Sequence, residues 1–240
     1  MVPKKWKIVN GNRYLYKVSE YHNQEARNEL FGYKVARYLG SLAVPVGITK
    51  NRKGQMTSYT KCFIKDNQEY ITAAQVCPTG DIEKLREFAE VNHILDFEDC
   101  FNKMIVVDFL IGNTDRHWGN FGFIRNVDTL QYESVAPLFD FGSSMYYNCE
   151  TTEIPVQVTT KLLKGLPDIR ETLGYLTEQI YVERSELLEL FDAAFSSMDV
   201  EDEYRTDILR YEFLDRILLY NELVDNINDS TYTSKKPSIK

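Results

Sequence analysis

The chain has 240 residues, 43% of them hydrophobic, and a formal net charge of −8. That is enough apolar material for one large domain or two small lobes. The acidic balance argues against a broad nucleic-acid footprint, because binding to phosphate backbones draws on clustered Lys and Arg. The four cysteines, Cys62, Cys77, Cys100 and Cys149, form no CxxC pair, so neither a zinc ribbon nor a redox motif is expected, and reduced thiols in a cytoplasmic protein are.

Taken in chain order, "MVPKKWKIVNGNRYLYKV" carries no apolar leader core and reads as two short strands joined at Asn10, Gly11 and Asn12, which puts Lys17 on the second strand. "NQEARNELFGYKVARYL" repeats bulky residues at helical spacing from Asn23 to Leu39, with Gly40 placed to end the helix. "VPVGITK" and "MTSYTKCFI", separated by "NRKG", read as a hairpin.

After Pro78, Thr79 and Gly80 the pattern turns helical. "FEDCFNKMIVVDFLIG" is a helix closed by Gly112; its longest apolar run, Met104 to Ile111, is interrupted by Asp108 and too short to span a bilayer, so no membrane association is expected. "NFGFIRN" and "YESVAPLFDFG" form a second hairpin, and from Val158 helix follows helix, ending in an amphipathic segment up to about residue 228. The expected organisation is α+β: a β-rich N-lobe with one helix at 1–77, a helical C-lobe at 78–228, and a disordered polar tail at 229–240.

Between the two apolar runs lies "GNTDRHWGNFGFIRN", with Asp115 followed five positions later by Asn120, and then by Asp140 of "DFG". Phosphoryl transfer needs a carboxylate to orient the attacking hydroxyl, hard oxygen ligands for Mg²⁺, and a cation on the phosphates. Asp115 suits the first role, Asn120 and Asp140 the second. Lys17 suits the third, with Glu25 or Glu29 on the following helix to hold it. Singly, each has a structural reading: a turn Asp, a turn Asn, a solvated lysine. Their order along the chain is the two-lobed protein-kinase layout.

"VVDFLIGNTDRHWGNFGFIRN" followed by "APLFDFGSSM" resembles the HipA-like serine/threonine kinases of bacteria, and "QEARNELFGYKVARYLG" is similar to that family's first-lobe helix. The resemblance implies a protein-kinase-like fold and an ATP- and Mg²⁺-dependent transfer to a Ser/Thr hydroxyl. It assigns Asp115 as base, Asn120 and Asp140 as metal ligands, Lys17 as phosphate contact and Glu29 as its ion-pair partner. His117 falls on a family histidine, either a packed support of the loop or a proton-transfer group; Arg116 and Trp118 receive no fixed role. Adenine contacts are expected from the backbone near Lys61 to Phe63. An antitoxin-like protein partner is also implied, and the protein substrate is not identified. Two features depart from kinases at large: the order His-Arg-Asp is reversed, and no Gly-rich loop precedes Lys17, so that a phosphate-covering element would have to lie in "VPKK" or come from elsewhere. A lipid or small-molecule kinase, or a nucleotide-binding regulator without turnover, are the alternatives.

Overall fold

The computed structural model describes residues 3–154, 172–195 and 203–233; of the helices expected from Val158, the part before residue 172 lies outside the described residues. The two leading strands, β1 (Lys4–Val9) and β2 (Asn12–Val18), pair antiparallel through a turn in which Asn10 and Gly11 take positive φ (49° and 76°). Asn-Gly is the sequence best able to adopt that geometry. The hairpin predicted for "VPVGITK" and "MTSYTKCFI" is β3 (Val46–Lys50) and β4 (Met56–Lys61), and β4 inserts beside β2 to give the sheet order β1-β2-β4-β3.

Helix α1 (Gln24–Tyr38) packs on this sheet and is left by Gly40 at φ 71°. Its apolar residues Ala26, Phe31, Val35 and Ala36 are buried as the periodicity requires. Its first turns, however, bury Gln24, Glu25, Arg27, Asn28 and Glu29 as well. Burial on that scale is tolerated only where the polar groups find partners, and those partners define the site described below.

The second sheet, ordered β5-β6-β7, consists of β5 (Gln68–Thr72), β6 (Gly122–Asn126) and β7 (Tyr132–Val135). β5 therefore pairs with a strand some fifty residues downstream, and the change from one sheet to the other falls between Lys61 and Gln68. Gly122 is required by this pairing: a Cβ there would sit 2.2 Å from the Ile71 carbonyl oxygen.

Short α2 (Ala73–Val76) opens with a Thr72/Gln75 capping box, and Asp81 caps α3 (Ile82–Val91) through the amides of Glu83 and Lys84. The central helix α4 (Phe97–Ile111) is buried over most of its length and ends at Gly112 in the left-handed region (φ 60°). Two further helices, α5 (Arg184–Phe195) and α6 (Glu203–Thr233), close the core: Phe31 of α1 meets the rings of Phe191, Phe195 and Phe213 edge-on at 4.9–5.9 Å between centroids. α6 continues to Thr233, past residue 229 where a disordered tail is expected from composition. Among the described residues no helix is long and apolar enough to cross a membrane.

Candidate active site

Four segments meet at a cleft of about 220 Å³ between the first sheet and the α4 side of the molecule. Lys17 enters from β2, Glu29 from α1, Asp115 from the loop after α4, and Asp140 from the segment after β7. The Lys17 ammonium donates to Glu29 Oε1 at 2.6 Å and to Asp140 Oδ1. Burial alone would lower the lysine's pKa, but the charges of Glu29 and Asp140 outweigh it and raise the pKa above the usual lysine value. Burial likewise opposes ionisation of Asp140, and Lys17, with Lys4 and Arg116, more than reverses that effect and holds the carboxyl below its usual range. Asp140 is thus a carboxylate at any physiological pH.

Glu29 does more than hold the lysine. Its second oxygen, Oε2, accepts the amide of Phe141 at 3.1 Å, so one carboxylate on α1 fixes both the cation and the backbone after Asp140. Asn28 donates to the carbonyls of Gly142 (3.0 Å) and Ser144 (2.7 Å), and Gln24 donates to that of Met145 (2.6 Å). These bonds satisfy the buried polar residues of α1 and clamp residues 141–145 to the helix. The Phe141 ring lies over Gly32, where a Cβ would come within 2.3 Å of it. Asp140 itself has φ 63°, a conformation that costs energy outside glycine and is accessible to Asp.

Of the two candidate carboxylates on α1, Glu29 is the partner of Lys17. Glu25 lines the same cleft but accepts the backbone amides of Glu20 (3.0 Å) and Tyr21 (3.1 Å), and burial raises its pKa despite them. It shapes the β2–α1 loop.

The loop itself is held from behind. Arg116 is 1% exposed and forms a two-pronged pair with Asp108 of α4, Nε to Oδ2 at 2.7 Å and Nη2 to Oδ1 at 3.0 Å. Its remaining nitrogen, Nη1, donates to the carbonyls of Asn120 (2.9 Å) and Phe139 (2.7 Å). One guanidinium therefore ties α4, the Asp115 loop and the approach to Asp140 into a single frame. Asn113 completes it, donating to Asp108 Oδ1 at 2.8 Å and accepting the Asp115 amide at 3.1 Å. No role for Arg116 was legible in the motif alone. The available signal was Asp108, a lone carboxylate inside "MIVVDFLI" that demands a buried cation.

The other sequence candidates divide. Asn120 is buried directly behind Asp115, its amide donating to the Asp115 carbonyl at 3.1 Å. The His117 ring turns back on its own loop and accepts the Gly119 amide at Nδ1 (3.0 Å), so of its two readings the geometry carries loop support. Phe63 is not in the cleft: it packs with Tyr70 (5.9 Å) and Phe139 (5.6 Å), an aromatic cluster at the junction between the sheets. Through Phe139 this cluster is one residue from Asp140. Lys4, which no site role was given, lines the cleft beside Lys17.

Among the described residues no three His, Cys, Asp or Glu side chains gather to hold a metal ion by themselves. Asp140 offers an ionised carboxylate and Asn120 an amide oxygen, the ligand types Mg²⁺ takes alongside substrate phosphates.

Known proteins share this fold. Residues 3–200 match the HipA-like C-terminal domain. An 80-residue segment, one third of the chain, is 50% identical to the serine/threonine-protein kinase CtkA of Helicobacter pylori, and spans 23% of that protein's length. The crystal structure of a Helicobacter pylori proinflammatory kinase CtkA superposes with a TM-score of 0.69 at 16% identity, covering 95% of this chain and 97% of that one. HipA from Shewanella oneidensis, solved with HipB and operator DNA, gives a TM-score of 0.60 at 15% identity over 95% of this chain and 65% of the other. The two-lobed, kinase-like α+β architecture is therefore shared with both, and with its match over most of its length this chain belongs to the HipA-like C-terminal domain family.

Proposed function

We propose that this chain is an ATP- and Mg²⁺-dependent phosphotransferase that passes the γ-phosphoryl group to a Ser or Thr hydroxyl of a protein. One observation carries the reading: Lys17, Glu29, Asp115 and Asp140, from four separate segments, converge on one cleft, with the lysine engaged by Glu29, its expected ion-pair partner, and by Asp140. The identity to CtkA supports it over a third of the chain.

In this reading the acceptor hydroxyl sits against Asp115, which takes its proton as the oxygen attacks the γ-phosphorus and the bond to the ADP oxygen breaks. Lys17 contacts the departing phosphates, and Glu29 fixes the ammonium so that no reorganisation is needed during transfer. Asp140 and Asn120 would hold Mg²⁺, which would supply positive charge to offset that of the phosphates. Arg116 positions Asp115 and Asp140 relative to each other through the frame it shares with Asp108. The aromatic cluster of Phe63, Tyr70 and Phe139 borders the connector between the sheets, where the purine would lie against backbone groups.

Incubating the protein with a host lysate and ATP, alongside an Asp115→Asn variant, and mapping phosphosites by mass spectrometry tests the assignment. Ser/Thr phosphopeptides present with the wild type and absent with the variant are expected; identical maps would reject it.

One feature favours a second reading. With no Gly-rich loop before Lys17, the chain could bind nucleotide and regulate a partner without turnover. Tight Mg-ATP binding in calorimetry without phosphate transfer would select that reading. By likeness to HipA solved with HipB, a protein partner of antitoxin type is inferred, with DNA reached through the partner.

A further inference from the structure

The first sheet places two lysines directly opposite one another. In the β1–β2 ladder Lys4 pairs with Lys17, and Lys17 pairs with Ser58 of β4, so the three share one face in a row and all line the cleft. Like charges directly opposite across antiparallel strands repel. Lys17 is neutralised by Glu29 and Asp140, whereas Lys4 makes no ion pair among the described residues and is exposed at the cleft mouth. Its charge nevertheless reaches Asp140, across the cleft. β1 begins at this point, and "VPKK" contains no glycine that could wrap backbone amides around a phosphate.

We infer that Lys4 and Lys17 form a two-lysine clamp for a nucleotide's polyphosphate, Lys4 supplying by side-chain charge the outer phosphate contact that a Gly-rich loop supplies by backbone amides. The inference rests on the nucleotide-binding reading above and deepens it. A polyphosphate fits along the two lysines because its inner groups meet the Lys17 ammonium and its outer group meets the Lys4 ammonium, which has no ion-pair partner among the described residues. A single cation at each end of the chain of phosphates also implies selectivity by phosphate number: Lys17 reaches the inner groups, and Lys4 engages only a ligand long enough to extend to the mouth. Lys4 is accordingly a specificity residue, whereas Lys17 serves every nucleotide.

Calorimetric titrations of the intact protein with ATP, ADP and AMP in the presence of Mg²⁺ test this, using Lys4→Met, Lys4→Arg and Lys17→Met. Lys4→Met is expected to weaken ATP about tenfold, the loss of one charge-assisted contact, and to leave AMP unchanged. Lys4→Arg should retain ATP affinity, and added salt should narrow the gap between wild type and Lys4→Met. In turnover the same variant should raise KM for ATP with kcat largely kept. Because Lys4 is exposed and unpaired, the variant should melt with the wild type. Equal ATP affinity in wild type and Lys4→Met would overturn the clamp while leaving nucleotide binding through Lys17 intact. Equal weakening of ATP and AMP would also overturn it, as a non-specific field effect. No nucleotide binding by the wild type would overturn both the clamp and the reading beneath it.

Discussion

Two ion-pair systems stand back to back around the Asp115 loop, and they differ in one physical respect. Behind the loop, Asp108 and Arg116 are sealed, at 2% and 1% side-chain exposure, with all three guanidinium nitrogens bonded to protein groups. In front of it, Lys17, Glu29 and Asp140 are 14%, 4% and 30% exposed and open onto a cleft. A sealed pair can only hold structure; an open one can exchange a partner for a ligand. Under the proposed function, the contrast explains how a site that releases and rebinds phosphates would stay in register, its exchangeable charges being mounted on a frame whose own charges are sealed.

The comparison breaks most visibly at the sealed pair. Asp108→Ala leaves a buried guanidinium without its carboxylate, and a loss of about 3–5 kcal/mol is expected, read as a lower midpoint in urea unfolding with unchanged slope. A midpoint matching the wild type would mean that the pair does not frame the loop. Next comes Lys17→Met, which removes the open cation: transfer should fall by about 10²–10³-fold, typical of losing one preorganised charge contact, while the variant still folds cooperatively. Collapse of the fold would show that the two systems are not separable in this way.

Gly32→Ala probes the mounting of Phe141. Its Cβ would lie 2.3 Å from the Phe141 ring, so the ring must shift, at a cost of about 1–3 kcal/mol; activity should fall with stability because Asp140 is the preceding residue. Thermal unfolding and transfer measured on one preparation check both.

The smallest effect is on pH. Asp140's pKa is depressed below its ordinary 3.8, so its contribution to stability is complete above that value and is lost as pH falls through the lower, folded value. Lys17's is raised above 10.5, so its contribution is complete below 10.5 and is lost only as pH rises through the folded value. Across neutral pH the cleft network should therefore give a flat stability profile. The difference between wild type and Lys17→Met should shrink as acid unfolding proceeds below pH 3.8; a difference that stays constant would separate Asp140's ionisation from Lys17.

The front system was legible in the sequence and the rear one was not, for a physical reason. Lys17, Glu29, Asp115 and Asp140 could be singled out in the sequence because phosphoryl transfer asks for those residue types in that order, and the structure brings the four to one cleft. Arg116 follows Asp115 directly, yet its partner sits on the preceding helix, and only the fold shows that the two meet. The same limit hid β5: its pairing with β6 is a contact across fifty residues that no local pattern encodes. Local turn chemistry at Asn10-Gly11 and the ends of α1 and α4 at Gly40 and Gly112 were readable because a positive φ leaves its mark on residue choice. The burial of Gln24, Asn28 and Glu29 was not, since periodicity sees polar residues as solvent-facing until their partners in 141–145 are placed.

Phosphate transfer by the open cluster, with Asp115 as base, is tested at Asp115 itself. The most direct measurement is incorporation of γ-labelled phosphate into a generic Ser/Thr protein substrate by wild type and by Asp115→Asn, at matched folded protein and saturating Mg-ATP. Steady incorporation is expected from the wild type and none from a variant that melts at the same temperature and binds ATP equally well. Equal incorporation by both would contradict it.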